Sequence, residues 1–248
     1  MIRIFQDIAS AFQFLTRLPL NWLPYRPDAL PRAAKYFPLV GLAVGAAAAG
    51  LYRLLSPHLP IAVIAFMIVL CSTLVTGGLH EDGLADAADA FGGGWNRQQV
   101  LAIMKDSRIG SYGALALLFS VAGRVLLLAY IPAGNFVKYV ISAEILCRWV
   151  MLPLGAALAG ARGQDGQGAR IARHVSGVSL AVGTLISLGV VGFMLQQSAI
   201  WPVAAASAVT LLSGLYYNKR IGGITGDCFG ATSQVTLLAV YFCAVWRR

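Results

Sequence analysis

Charge is scarce in this sequence. Of its 248 residues only 12% are Asp, Glu, Lys or Arg, about half the share in an ordinary soluble domain, while 58% are hydrophobic. That excludes a soluble globular chain and points to a polytopic membrane protein, in line with a mean hydropathy of +0.72. Cysteine is scarce and scattered. Cys71, Cys147, Cys228 and Cys243 lie far apart, in or near apolar segments, with no C-x-x-C and no zinc spacing. They exclude a disulfide framework and read as packing residues. His58 and His174 stand alone near the ends of apolar runs, in no ligand pattern. No internal repeat divides the chain, so a single membrane-embedded domain over residues 1–248 is expected.

What is present is a basic excess, a net charge of +9. A nucleic-acid binder would gather such charge on one module with aromatics interleaved. Here the cations are spread beside apolar spans, which fits positive-inside bias and contact with anionic headgroups or phosphorylated molecules. The first twenty residues keep Asp7 and Gln13 and lack a long apolar core and an A-x-A site, so they are not read as a signal peptide. Ile4, Phe5, Ile8, Phe12, Leu15 and Leu18 instead recur near helical spacing, predicting an interfacial amphipathic helix over residues 2–18 that Pro19 ends. A basic stretch with Pro24, Pro27 and Pro31 follows.

Seven apolar spans are then expected, over residues 37–55, 61–79, 113–131, 136–159, 178–195, 200–217 and 231–246. Each approaches the ~20 residues of a membrane helix. Seven crossings place the loops 78–112, 160–176 and 218–230 on the side of the N-terminus. That side carries thirteen cations, from Arg3 and Arg17 to Lys219 and Arg220, whereas the other has only Arg53, Lys138, Arg247 and Arg248. The richer side is therefore read as cytoplasmic.

On that side lies the run from Leu79 to Asp89. Asp82, Asp86 and Asp89 are spaced i, i+4, i+7, so a helix would put three carboxylates on one face. Such a cluster repels itself and calls for a cation, Mg²⁺ or Mn²⁺ for an all-oxygen site. A solvated acidic face at a helix start is the plainer reading. Loop 78–112 holds five of the ten acids, Glu81, Asp82, Asp86, Asp89 and Asp106, beside His80, Arg97, Lys105 and Arg108, and is rich in glycine. That mixture fits phosphoryl transfer, with carboxylates on the metal and cations offsetting phosphate charge. A hydrophilic loop laced with salt bridges would explain the charges but not the glycines. The turn Gly222-Gly223-Ile224-Thr225-Gly226-Asp227 can cradle a phosphate while Asp227 reaches a metal or a hydroxyl; Thr-Gly-Asp also caps helices. Within the spans, Glu144 and Arg148 are expected to pair and Arg124 stands alone. Both a functional and a structural reading are open for these three.

Five segments in order, Phe14-Leu15-Thr16-Arg17-Leu18-Pro19, Tyr36-Phe37-Pro38-Leu39-Val40-Gly41, the run 76–89, Met104-Lys105-Asp106-Ser107-Arg108-Ile109-Gly110 and the turn 222–227, resemble the membrane-bound cobalamin synthases, the adenosylcobinamide-GDP ribazoletransferases. The resemblance covers nearly the whole chain. It implies an all-α polytopic catalytic domain, multi-pass in a bacterial cytoplasmic (inner) membrane, with its active site facing the cytoplasm. It implies that a hydroxyl of α-ribazole, or of its 5′-phosphate, attacks the cobinamide-linked phosphate of adenosylcobinamide-GDP and expels GMP with Mg²⁺ present. Carried over, Asp82, Asp86 and Asp89 would be the metal carboxylates, and Asp106 a fourth catalytic acid. Asp89, at the end of the face, is the candidate general base. Arg17, His80, Lys105, Arg108, Thr225 and Asp227 form the substrate-binding set. The implied partners are the two substrates and the lipid membrane, with no nucleic acid; a homo-oligomer is allowed. Gln234 and Leu237 stand where the resemblance leads one to expect glutamates, and Glu81 receives no role. A CDP-alcohol type phosphotransferase is the alternative, but Asp86 stands where that motif has arginine. A transporter would place its main acids near the midplane, and a structural scaffold would leave the acid cluster unexplained.

Overall fold

The computed structural model describes residues 2–20, 23, 29–162, 171 and 175–246. Expectations attached to Pro24, Pro27, His174, Arg247 and Arg248 fall outside that set. Among the described residues every regular element is helical, and one isolated backbone bridge joins Gly160 to Ile224. The all-α reading therefore holds. In chain order the helices are α1 (Ile2–Leu15), α2 (Leu30–Ala33), α3 (Phe37–Leu55), α4 (Ile61–Thr76), α5 (Leu79–Gly93), α6 (Arg97–Ile103), α7 (Ser111–Tyr130), α8 (Ala133–Trp149), α9 (Met151–Ala157), α10 (Gly177–Leu195), α11 (Ile200–Ile221) and α12 (Gly226–Trp246).

Five stretches are long and apolar enough to cross a membrane, or six if the bent pair α4 and α5 is one crossing. One of the five runs from Gly177 to Ile221, 45 residues, about 67 Å as a straight helix and twice a bilayer core. It breaks at Gln196 (φ 51°). The beginning of α10 meets Lys35 through Gly183, the break lies beside Lys138 and Trp246, and the end of α11 meets Arg97. Its two limbs thus run in opposite directions. A count of seven requires reading this stretch as two crossings.

Close packing at the centre depends on missing side chains. A Cβ at Gly41 would lie 2.7 Å from the carbonyl carbon of Glu144, and one at Gly45 2.8 Å from the Cα of Ile141. Helix α3 therefore meets α8 backbone to backbone, as small residues permit in a membrane. Helices α8 and α12 are the most buried spans. Around them sit two ionic contacts: Glu144 pairs with Arg148 as expected, and Arg124 pairs with Glu81 at 3.0 Å. The Thr73 hydroxyl donates to the same Glu81 oxygen. Glu81 is thus the counter-ion that ties α5 to α7.

The expected span 61–79 ends early. Helix α4 stops at Thr76, and Gly77 and Gly78 both adopt left-handed φ values, 67° and 69°, which glycine alone tolerates freely. The chain turns through 90° there and restarts as α5. We take α4 as the apolar, membrane-crossing limb and the acid-rich α5 as lying outside the crossing segments. The amphipathic helix α1 docks at this corner. Its continuation is fixed by a hydrogen bond from the Arg17 amide to the Val75 carbonyl, 2.7 Å, and the Arg17 side chain lies across Gly77.

Candidate active site

The corner opens onto a cleft of about 1020 Å³. One wall is the end of α1 and the turn after it, including Arg17. Another is the face of α5 that presents Asp82 and Asp86, and the loop before α7 adds Ser107 and Ile109. The i, i+4 spacing puts two carboxylates on this wall.

The third does not join them there. Asp89 turns to the start of α7, where its two oxygens accept the Gly110 and Gly113 amides at 2.7 and 2.9 Å. A Cβ at either glycine would strike that carboxylate, so the glycines of this loop serve a carboxylate rather than a phosphate. Asp89 therefore fixes the loop that carries Lys105 and Arg108.

From the far end of the chain, Asp227 arrives at α5. Gly83 lacks the side chain that would stand 3.0 Å from the Asp227 Cα, and Gly230 comes equally close to α5. This contact places Asp227 near Asp82 and Asp86. Asp86 is consequently pushed up to about 6, by burial first and then by the charges of Asp82 and Asp227, with Arg162 opposing them.

Arg162 escaped the sequence reading, where it was only one of many loop cations. Its Nη2 lies 3.3 Å from Asp227 Oδ2, an ion pair by distance without hydrogen-bond alignment, and its Nε and Nη2 are buried without a hydrogen-bond partner among the described residues. The segment before it is pinned by the exchange of Ala161 N–H with the Ile224 carbonyl and Ile224 N–H with the Ala159 carbonyl. Arg97 braces the same corner through the Ile221 and Ala161 carbonyls. That pairing spans more than sixty residues of chain and leaves no local pattern to read.

The remaining expected residues divide. Asp106 and Arg108 form a two-pronged pair near the cleft rim, and the Arg108 hydrogen bonds hold Asp106 down at about 2. Lys105 is exposed beside them. Thr225 is buried, donates to Asp227 Oδ2 at 3.2 Å and accepts the Cys228 amide; it anchors Asp227 and caps α12 and does not line the cleft. His80 also turns away from the cleft, into the bundle beside Glu81, Arg124, Glu144 and Arg148. Gln234 lies in the same interior and accepts from Ser120, and Leu237 lines it.

Among the described residues no group of three His, Cys, Asp or Glu side chains is arranged to hold a metal ion. Mg²⁺ does not require one, since it is ordinarily held by one or two carboxylates together with phosphate oxygens and water. Asp82 and Asp86 supply that oxygen pair on the cleft wall, and the raised proton affinity of Asp86 marks a charge that a cation would relieve. The residues fit a two-carboxylate site completed by substrate.

Residues 7–245 match the family profile described as Cobalamin-5-phosphate synthase. Relatives include the adenosylcobinamide-GDP ribazoletransferases of Sinorhizobium medicae, 38% identical with 94% of each chain covered, and of Polaromonas sp., 34% identical with 95% of each covered. The protein of that name from Vibrio cholerae is 35% identical over 93% of this chain and 90% of its own. No solved structure matches the chain.

Proposed function

The chain belongs to the cobalamin-5-phosphate synthase family, and from that premise we propose that it is an adenosylcobinamide-GDP ribazoletransferase whose reaction takes place in the cleft between α1 and α5. A hydroxyl of α-ribazole, or of its 5′-phosphate, forms a bond to the cobinamide-linked phosphorus. The diphosphate bond to that phosphorus breaks, and GMP leaves with the bridging oxygen. The hydroxyl proton passes to the carboxylate group formed by Asp82, Asp86 and Asp227. The observation that carries this reading is the meeting of Asp82 and Asp86 with Asp227 from the other end of the chain, beside a cleft of about 1020 Å³.

Asp82 and Asp86 would hold Mg²⁺, which when bound neutralises charge on the phosphate oxygens. Arg17, Lys105 and Arg108 meet the diphosphate at the rim. Asp89 acts as a positioning residue, because both its oxygens hold the loop before α7. Asp106 holds Arg108, and Arg162 balances the carboxylates from behind. The cleft faces the side rich in Lys and Arg, which in the cytoplasmic (inner) membrane of a bacterium is the cytoplasm.

The test is release of GMP from adenosylcobinamide-GDP and α-ribazole by protein in nanodiscs with Mg²⁺. Well-folded protein that releases no GMP and forms no cobalamin would overturn the assignment.

A further inference from the structure

The end of the bundle opposite the cleft has little charge. Among the described residues only two Lys or Arg side chains stand there, Arg53 in the last turn of α3 and Lys138 in α8. The chain rule that depletes cations from this side would scatter the exceptions at random. The fold brings both to the lip of one groove, about 630 Å³ in volume, walled by small and apolar residues such as Ala49, Gly50 and Val137. At Gly50 and at Gly134 an added Cβ would meet nothing within 4 Å, so the groove is open space.

Neither cation forms an ion pair among the described residues. The one acid in α3 and α8, Glu144, is buried against Arg148. A second hollow of about 540 Å³ adjoins the groove, shares Lys138 with it, and presents the polar groups of Asn135, Gln196 and Ser198. Gln196 is the one non-glycine residue with positive φ among those described. Its strained backbone faces this hollow, as strain does at binding sites more often than elsewhere.

A groove walled mostly by apolar residues, two cations at its lip that form no ion pair among the described residues, and a polar chamber alongside match the parts of one molecule. We propose that this site binds an anionic glycerophospholipid of the leaflet opposite the cleft. Its phosphate lies between Arg53 and Lys138, one acyl chain follows the α3–α8 groove, and its headgroup enters the hollow at Gln196. Basic residues beside a membrane select anionic lipid in this way.

The full chain, purified in a mild nonionic detergent, is melted with added phosphatidylglycerol, phosphatidylcholine or glycerol-3-phosphate. Phosphatidylglycerol should raise the Tm above the value in phosphatidylcholine, and glycerol-3-phosphate should leave it unchanged. In the Arg53→Ala/Lys138→Ala variant the preference should fall about thirty-fold in apparent affinity. The Arg53→Lys/Lys138→Arg variant should keep it, as should Lys219→Ala, which removes an exposed cation at the other end. Equal shifts with both lipids, an undiminished preference in the double alanine variant, an equal loss in Lys219→Ala, or a comparable shift with glycerol-3-phosphate would each overturn the proposal.

Discussion

Replacing Arg124 by Met leaves the Glu81 carboxylate inside the bundle without its ion-pair partner, with the Thr73 hydroxyl still donating to it. The two side chains are 4% and 11% exposed and 3.0 Å apart. At the effective dielectric that suits such sites their attraction is about 5 kcal/mol, most of it offset by the desolvation of both ions. Removing one partner alone strands the other, at a cost of about 3–5 kcal/mol. The same loss is expected for Glu81→Leu, which strands Arg124. The variant carrying both changes has no stranded charge and should lie within about 1 kcal/mol of the parent. At roughly 2–4 °C per kcal/mol for a chain of this size, each single change lowers the Tm by about 6–20 °C. Melting of the purified protein measures all three, and GMP release by the double variant tells structure from chemistry. Single losses that simply add in the double variant would refute the coupling. A well-folded double variant without turnover would place Glu81 among the reacting groups.

Asp82→Asn and Asp86→Asn should fold normally and lose at least about a hundred-fold in turnover, the scale on which charge placed for a transition state acts; near-normal GMP release in both would remove the metal assignment. Because Asp86 is raised to about 6, the metal-free folded protein holds a proton there more tightly than the unfolded chain. Its stability therefore falls as pH rises from about 4 to 6 and stays lowered above that. Mg²⁺ should accordingly raise the Tm more at about pH 7.5 than at about pH 5, and equal shifts would contradict this. Arg162→Gln removes the cation that lowers Asp86, so the acidic limb of the rate profile should move to higher pH while the Tm changes little; an unmoved limb would show that Arg162 does not act on Asp86. Asp89→Asn puts an amide N–H where one backbone N–H now donates, so the loop before α7 should become more open to protease, at a cost of about 1–3 kcal/mol; unchanged cleavage would count against its positioning role.

Periodicity and hydropathy carried the helices well. The amphipathic start, the apolar stretches and the helix beginning at Leu79 all stand near where the spacing puts them, because these features are local. The span 61–79 failed at its end, where two consecutive left-handed glycines turn the chain, and a glycine in an apolar run carries no mark of its φ. The i, i+4, i+7 pattern placed Asp89 correctly on its face but could not reveal that Gly110 and Gly113 would claim it. His80 and Thr225 were drawn toward the site by neighbours in sequence and are held elsewhere by packing. Arg162 shows the opposite case, since its place is fixed by a backbone bridge between two loops.

One wall of the cleft belongs to a helix that is only half in the bundle, with Ala11 and Leu15 buried in the core and Phe14 stacked on Phe37. Helix α1 leaves Ile4 and Phe5 exposed, side chains that suit the surface of the bilayer, and the stretch behind it is tied to the α4–α5 corner through Arg17. The cleft therefore has one wall whose outer face suits the bilayer and whose inner face is held by the bundle. A lipid bilayer, which offers that outer face the surface it suits, is accordingly the setting in which the reaction should be assayed.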